Sequence, residues 1–452
     1  MTPYEAVSGE CLSRRKLAAL TYAPLVLMVA SDFKLRSRDI DSSVSGAPDI
    51  FVLLELAVYG LLAFSLLAFY PVPQRAPRLA RAMSVPGLIG TFFFGTLILS
   101  AAISPFRTMA MVRAAQTVIW LALALAMTQH LRREHLHKLA HGFIIVITAA
   151  VVIGRVDPQP PLRLQEGRFT WLYVHPVVAG IYLGLSTLLV TAYLITRGRP
   201  RPGPQWSPAV YAGLLGLHAV SLITTRTRGA LLGYVVAAVV LMLTALRRRR
   251  GAAAFLVASI AGFLLLLFSS TVATFLERGE SAEKLATLNS RTELWTLAWK
   301  AIQEEPWFGH GLSASRGLFL DEIGLGGGHN IIVNLLVDQG GLGIVAFVLL
   351  VSTLFVTFRT LIVRERNLVS DYRIDIAMLF SILVYLLVDG MTTEYLAAPA
   401  NGASGWLIII IVWSSRLLSD VRQERRWLSR LRAATPVVPA QFMSVGADQR
   451  LG

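Results

Sequence analysis

A single cysteine, Cys11, occurs in 452 residues, which excludes a disulfide framework and any cysteine-rich zinc or iron–sulfur site. Charge is scarce too: 15% of residues are charged, against about a quarter in an ordinary globular domain. No internal repeat is evident, which argues against transporter folds assembled from repeated halves. What abounds is apolar surface, with 55% hydrophobic residues and a mean hydropathy of +0.60, so a membrane protein is the first reading. The formal charge of +15 would suit a nucleic-acid partner. In so apolar a chain, however, a basic excess more often marks cationic loops kept on the cytoplasmic side, and the placement of the cations decides.

Apolar runs near the roughly 20 residues needed to cross a bilayer lie at about 15–31, 50–70, 84–103, 108–128, 139–154, 175–195, 208–225, 229–246, 252–273, 341–360, 374–390 and 403–418. The first follows Arg14, Arg15 and Lys16 as a signal peptide would, but no small-residue cleavage site follows it, and it reads as a retained span. With the N-terminus in the cytoplasm, most of the 42 lysines and arginines fall inside. Examples are Arg75, Arg78 and Arg81, the run Arg247 to Arg250, and the tail from Arg416 onward. The positive excess is thereby explained without nucleic acid. The expected fold is an all-α polytopic bundle of about twelve transmembrane helices with both termini cytoplasmic. Spans one to nine occupy 1–276, a long outer loop 277–340, the last three spans 341–418, and a cytoplasmic tail 419–452. Within the tail, VRQERRWLSRLRAA predicts a membrane-surface helix and the proline-containing end predicts disorder.

A loop of that length is usually functional or structured. Ser290 with Glu293 three residues on forms a capping-box pattern, and Pro306 stops the helix it would start. Leu294, Trp295, Ala298, Trp299 and Ile302 form one stripe, suited to the membrane interface or to covering the ends of the spans. Further on, Gly324, Gly326, Gly327 and Gly328 precede His329, Asn330 and an apolar helix, which can put a histidine at a helix start beside a substrate or leave it incidental in a flexible loop. In TTRTRGALLG, Arg226 and Arg228 occupy an outer turn that the positive-inside rule would leave uncharged. A diphosphate would account for them, since the guanidinium fork matches phosphate oxygens; so would pairing with Asp389 or Glu394, or snorkelling. Arg168, Arg291 and Arg316 raise the same question.

Glu55 inside the second span is either functional or paired with an arginine, and His218 reads as a packing histidine. His130, His135, His137 and His141 cluster on the cytoplasmic side among Arg132, Arg133 and Lys138, which oppose metal binding. The outer segments hold no cysteine and histidine ligand set, and no ATP is available there. A synthetic reaction on that face needs an energy-rich carrier already in the membrane, and a lipid-linked diphosphate fits both that need and the arginines.

Five segments carry a family resemblance: GRFTWLYVHPVVAG at 167–180, TRGALLG at 227–233, SRTELWTLAW at 290–299, PWFGHGL at 306–312 and HNIIVNLLVDQGGLG at 329–343. In order and topology they resemble the O-antigen ligases and the related O-antigen polymerases and O-linking oligosaccharyltransferases. The resemblance implies a C-type glycosyltransferase-like fold in a Gram-negative inner membrane, with a periplasmic site. It implies transfer of an undecaprenyl-diphosphate-linked O-antigen glycan to lipid A-core without metal or cofactor. Arg228 and Arg291 match the arginines that engage the donor diphosphate, Arg168 matches less closely, and His329 matches the loop histidine; no role carries onto His175. An inverting displacement follows, with His329 as base, Arg226 assisting the other arginines and Asn330 in support. A transporter or lipid flippase is the alternative of another class. It would place its functional charges near the bilayer midplane, whereas these arginines sit at the outer boundary.

Overall fold

A computed structural model describes residues 12–34, 49–70, 84–157, 167–196, 202–246, 291–323, 327–365, 368, 371–396, 398 and 400–434. All thirteen longer elements among them are α-helices: α1 Arg14–Asp32, α2 Ile50–Phe69, α3 Val85–Ser100, α4 Arg107–His130, α5 Arg133–Val156, α6 Pro176–Ile195, α7 Pro208–Thr224, α8 Arg228–Ala245, α9 Arg291–Glu304, α10 Ala314–Ile323, α11 Ile331–Arg364, α12 Arg373–Gly390 and α13 Gly402–Ala434. Local sequence sets their starts. Asp49 accepts hydrogen bonds from the Phe51 and Val52 amides at 2.8 and 3.0 Å, Ser84 caps α3, Ser207 caps α7, and prolines occupy the first turns of α3, α6 and α7.

Eight described helices are long and apolar enough to cross a membrane. The expected runs coincide with α1 to α8, the greater part of α11, α12 and the first half of α13, while the run 252–273 lies outside the described residues. α12 is not among the eight, because it carries Arg373, Asp375 and Asp389. It lies inside the bundle, where protein rather than lipid meets those charges. α6 is buried along nearly its whole length, α8 packs most extensively on α12, and α2 sits at the rim with Leu53, Leu61, Phe64 and Leu67 exposed. Small residues permit the central contact: a Cβ on Gly184 would stand 2.2 Å from the Tyr385 hydroxyl oxygen, and one on Gly233 3.1 Å from the same ring.

At the end expected to face the cytoplasm, a buried polar network joins α5, α6, α12 and α13. The fully buried Asp375 carboxylate accepts from the Arg133 guanidinium and, at 3.0 Å, from the Trp413 indole N–H. His137 Nε2 lies 3.2 Å from Oδ1, the oxygen that the Trp413 indole also reaches, and His137 Nδ1 meets the Tyr193 hydroxyl at 2.9 Å. His141 pairs with the Tyr211 hydroxyl at 2.8 Å. His218 bonds Thr148 and Ser186, as a packing histidine should, and Glu55 accepts from Gln116 at 2.9 Å with Arg113 4.0 Å away.

Two elements depart from expectation. α13 runs unbroken to Ala434, so the tail helix continues the last span, there being no proline and no glycine after Gly405 to interrupt it. α9 ends at Glu304 ahead of Pro306, but its stripe is divided: Leu294 and Ala298 are buried with Phe319 and Val337 in a small second core, whereas Trp299 is 61% exposed. Ser290 of the expected capping box lies outside the described residues.

α11 is broken at Gly340, whose φ of 60° and ψ of −154° leave the helical region. The PWFGHGL segment closes around the break. The Gly341 and Leu342 amides donate to the Pro306 and Trp307 carbonyls at 2.8 and 3.1 Å, and the His310 and Gly311 amides donate to those of Val337 and Asp338 at 2.8 and 2.9 Å. Asp338 then accepts from the Ser313 and Ser315 amides. His310 is part of this clamp, its Nε2 contacting the Ala301 carbonyl at 2.9 Å.

Candidate active site

The arginine turn is built from three segments. Thr225 and Arg226 end α7, and Arg228 opens α8. Arg226 adopts φ 51°, a left-handed conformation that β-carbon-bearing residues seldom take. The 167–176 stretch wraps this turn: the Phe169 amide donates to the Thr224 carbonyl at 2.8 Å, and Arg168 donates to the Thr225 carbonyl at 2.8 Å and to the Thr227 hydroxyl at 3.1 Å. Thr227 donates in turn to the Pro176 carbonyl at 3.1 Å. A Cβ on Gly167 would lie 3.5 Å from the Arg226 guanidinium, so that side chain rests against the same stretch. Arg155 joins from α5, stacked 4.1 Å over Phe169 and donating to Thr224. His175 has a structural task here, its Nδ1 capping α6 through the Val177 amide at 3.2 Å.

The histidine turn is equally determined. Asn330 is the N-cap of α11, accepting from the Ile332 and Val333 amides at 2.8 and 3.3 Å, while its own amide donates to the Met391 carbonyl at 3.0 Å. Gly328 is fixed from both sides, its N–H donating to Asn334 at 2.7 Å and its carbonyl accepting from the Trp295 indole at 3.3 Å. Between these anchors His329 takes φ 48° and remains 35% exposed. Its Nδ1 lies 3.6 Å from Glu394 Oε2. Burial and the Glu394 carboxylate push the neighbouring Tyr395 phenol up, keeping it neutral.

The two turns meet at 389–394, between α12 and α13. A Cβ on Gly229, next to Arg228, would fall 1.8 Å from the Thr392 hydroxyl, and Met391, the residue before Thr392, holds Asn330 beside His329. Asp389 accepts from Thr393 and Glu394 faces His329, which answers what these outer carboxylates touch. Sequence reasoning named both only as partners for the arginines. Arg291 opens α9, but its side chain lies outside the described part; Arg316, exposed on α10, shares the electrostatic surroundings of Tyr395 and Lys34. No group of three or more histidine, cysteine or acidic residues that could hold a metal ion occurs among the described residues. An Asp-x-Asp pair, Asp39 and Asp41, occurs in the segment between α1 and α2, which the expected topology puts on the outer face, and lies outside the described residues.

A family model described as O-antigen ligase matches residues 212–348. That stretch runs from within α7 to within α11 and takes in Arg226, Arg228, Arg291 and His329, but neither Arg168 nor Glu394. No curated protein matches the chain. The family match spans under a third of the chain, and the eight described helices long and apolar enough to cross a membrane make this a multi-pass membrane protein.

Proposed function

We propose that the protein is the ligase itself, an inverting glycosyltransferase at the periplasmic face of a Gram-negative inner membrane. It moves O-antigen glycan from undecaprenyl diphosphate to lipid A-core. The single observation that carries the reading is the meeting of a three-segment arginine turn with a half-buried histidine through one short connection. Arg228 and Arg226, with Arg168 and Arg291, hold the diphosphate and neutralise the charge that grows on it as it leaves, a task arginine forks perform without a metal ion. His329 Nε2 accepts the proton of an acceptor sugar hydroxyl while that oxygen attacks the anomeric carbon. One C–O bond forms, the C–O bond to phosphate breaks with its electron pair going to the diphosphate, and the anomeric configuration inverts. Asn330 fixes the direction of His329.

The purified protein, given lipid-linked glycan together with lipid A-core, a second donor molecule or a serine-containing protein acceptor, should yield a product of ligated mass with lipid A-core alone. A product with the second donor would instead indicate a polymerase, and one with protein an oligosaccharyltransferase. His329→Ala should cut transfer to a small residual rate, about 10²–10⁴-fold below the parent, while donor binding persists. Transfer at the parental rate by that variant overturns the base assignment.

A further inference from the structure

Beyond the histidine itself, the connection between α12 and α13 contains a group placed to act on it. Glu394 is 14% exposed, and its Oε2 has no hydrogen-bond partner among the described residues, yet it stands 3.6 Å from His329 Nδ1. A buried carboxylate oxygen left in that state is costly unless a donor reaches it in some working state of the protein. The surroundings press the two groups together. Gly327 brings the backbone so close that a Cβ there would stand 2.8 Å from Glu394 Oε1, and His329 is held in a left-handed conformation with its ring turned to the acid. Asp389 and Tyr395 flank Glu394: one Asp389 oxygen accepts from Thr393 while the other, like Glu394 Oε2, has no hydrogen-bond partner among the described residues, and it is Glu394 that stands against His329; the Tyr395 phenol stays neutral.

We infer that Glu394 is the positioning residue of a histidine–carboxylate dyad. It accepts the Nδ1 proton of His329, so that Nε2 is the ring nitrogen left to face the acceptor hydroxyl, and its charge stabilises the imidazolium formed when that hydroxyl gives up its proton. The 3.6 Å separation shortens to hydrogen-bond length when substrate closes the site, a tightening usual for dyads seen without substrate. Glu394 lies beyond the family-matched stretch, which ends at residue 348, so the base and its orienting partner come from different parts of the chain. The inference rests on the proposed role of His329.

The test compares Glu394→Gln, Glu394→Asp, His329→Ala and the double variant Glu394→Gln/His329→Ala, each purified full-length and assayed with lipid-linked glycan and lipid A-core. Glu394→Gln should lower kcat by about 10²-fold or more, in line with the loss seen when a histidine's orienting acid is neutralised. The KM for the donor should stay within about twofold, which a general structural disturbance would not achieve. Glu394→Asp should recover part of the lost kcat, and Glu394→Gln should have no further effect on the residual rate of His329→Ala. A parental kcat in Glu394→Gln, or an undiminished effect of that change on top of His329→Ala, overturns the dyad while leaving the base assignment intact. A parental rate in His329→Ala overturns the base assignment and the dyad with it. Should Glu394→Gln fail to fold, Glu394→Asp decides, since full retention of kcat despite a carboxylate withdrawn by a methylene refutes orientation at this distance.

Discussion

Replacing Gly229 by alanine tests the seam where the arginine turn meets the histidine turn. The added Cβ would lie 1.8 Å from Thr392 Oγ1 and 3.0 Å from Thr392 Cβ, where ordinary contact begins near 3.4 Å. Rotating the threonine removes the first clash but surrenders its 2.9 Å hydrogen bond to the Asp389 carbonyl, a loss of about 1 kcal/mol. The second clash remains and forces the helix start and the connection apart by several tenths of an ångström, an overpacking typically worth about 1–3 kcal/mol. Alanine's better helix propensity returns about 1 kcal/mol at most. The steric side wins, and Gly229→Ala should be destabilised by about 1–3 kcal/mol. Arg228 moves relative to His329 by the same few tenths of an ångström, and since a full ångström costs about 10²-fold, the rate should fall about 3- to 10-fold. Thermal unfolding in detergent and the transfer assay read both effects. Thr392→Ala removes the obstructing hydroxyl and its hydrogen bond but keeps the Cβ, so the double variant should recover about 1 kcal/mol relative to the sum of the singles. Gly229→Ala with parental stability and rate, or strict additivity with Thr392→Ala, would refute the seam.

At the opposite end of the bundle, Asp375→Ala leaves the Arg133 guanidinium with only the Asp371 carbonyl as acceptor and takes the carboxylate from the His137 ring and the Trp413 indole, and it should lower stability by about 3–5 kcal/mol. The thermal midpoint measures it, and a shift no larger than that of an exposed substitution would show that the network carries little. A third comparison uses backbone strain: because His329 sits at φ 48°, His329→Gly should be more stable than His329→Ala by about 0.5–1 kcal/mol, although both lack the base. Equal stabilities would mean that the turn relaxes without cost.

Much of the bundle was legible because a bilayer span announces itself by length and apolarity within one short window. Arg226 and Arg228 were legible for a related reason, as cations in a turn that the expected topology puts on the side where cations are disfavoured. Other features depend on what lies opposite. The period of α9 places Leu294, Trp295, Ala298 and Trp299 on adjoining positions, but only packing against Phe319 and Val337 decides that the leucine and alanine go inside and Trp299 out. The 389–394 connection has no local signature at all. Its importance comes from Gly229 and Asn330, which are distant in sequence and reach it through the docking of α8 and α11 on α12. The PWFGHGL segment could be recognised by resemblance, yet its part in gripping the Gly340 break follows from backbone hydrogen bonds that no side-chain pattern encodes.

The grip on Gly340 also sets where the chain can be recombined. Residues 306–312 and 337–342 are laced by main-chain bonds, so they form a single graftable piece although a span boundary runs between their ends. A chimera that takes α9 and α10 from one parent and the greater part of α11 from another should be joined beyond Leu342. A junction at the glycine itself would divide the lacing between two parents and leave the segment bearing His329 without its mount.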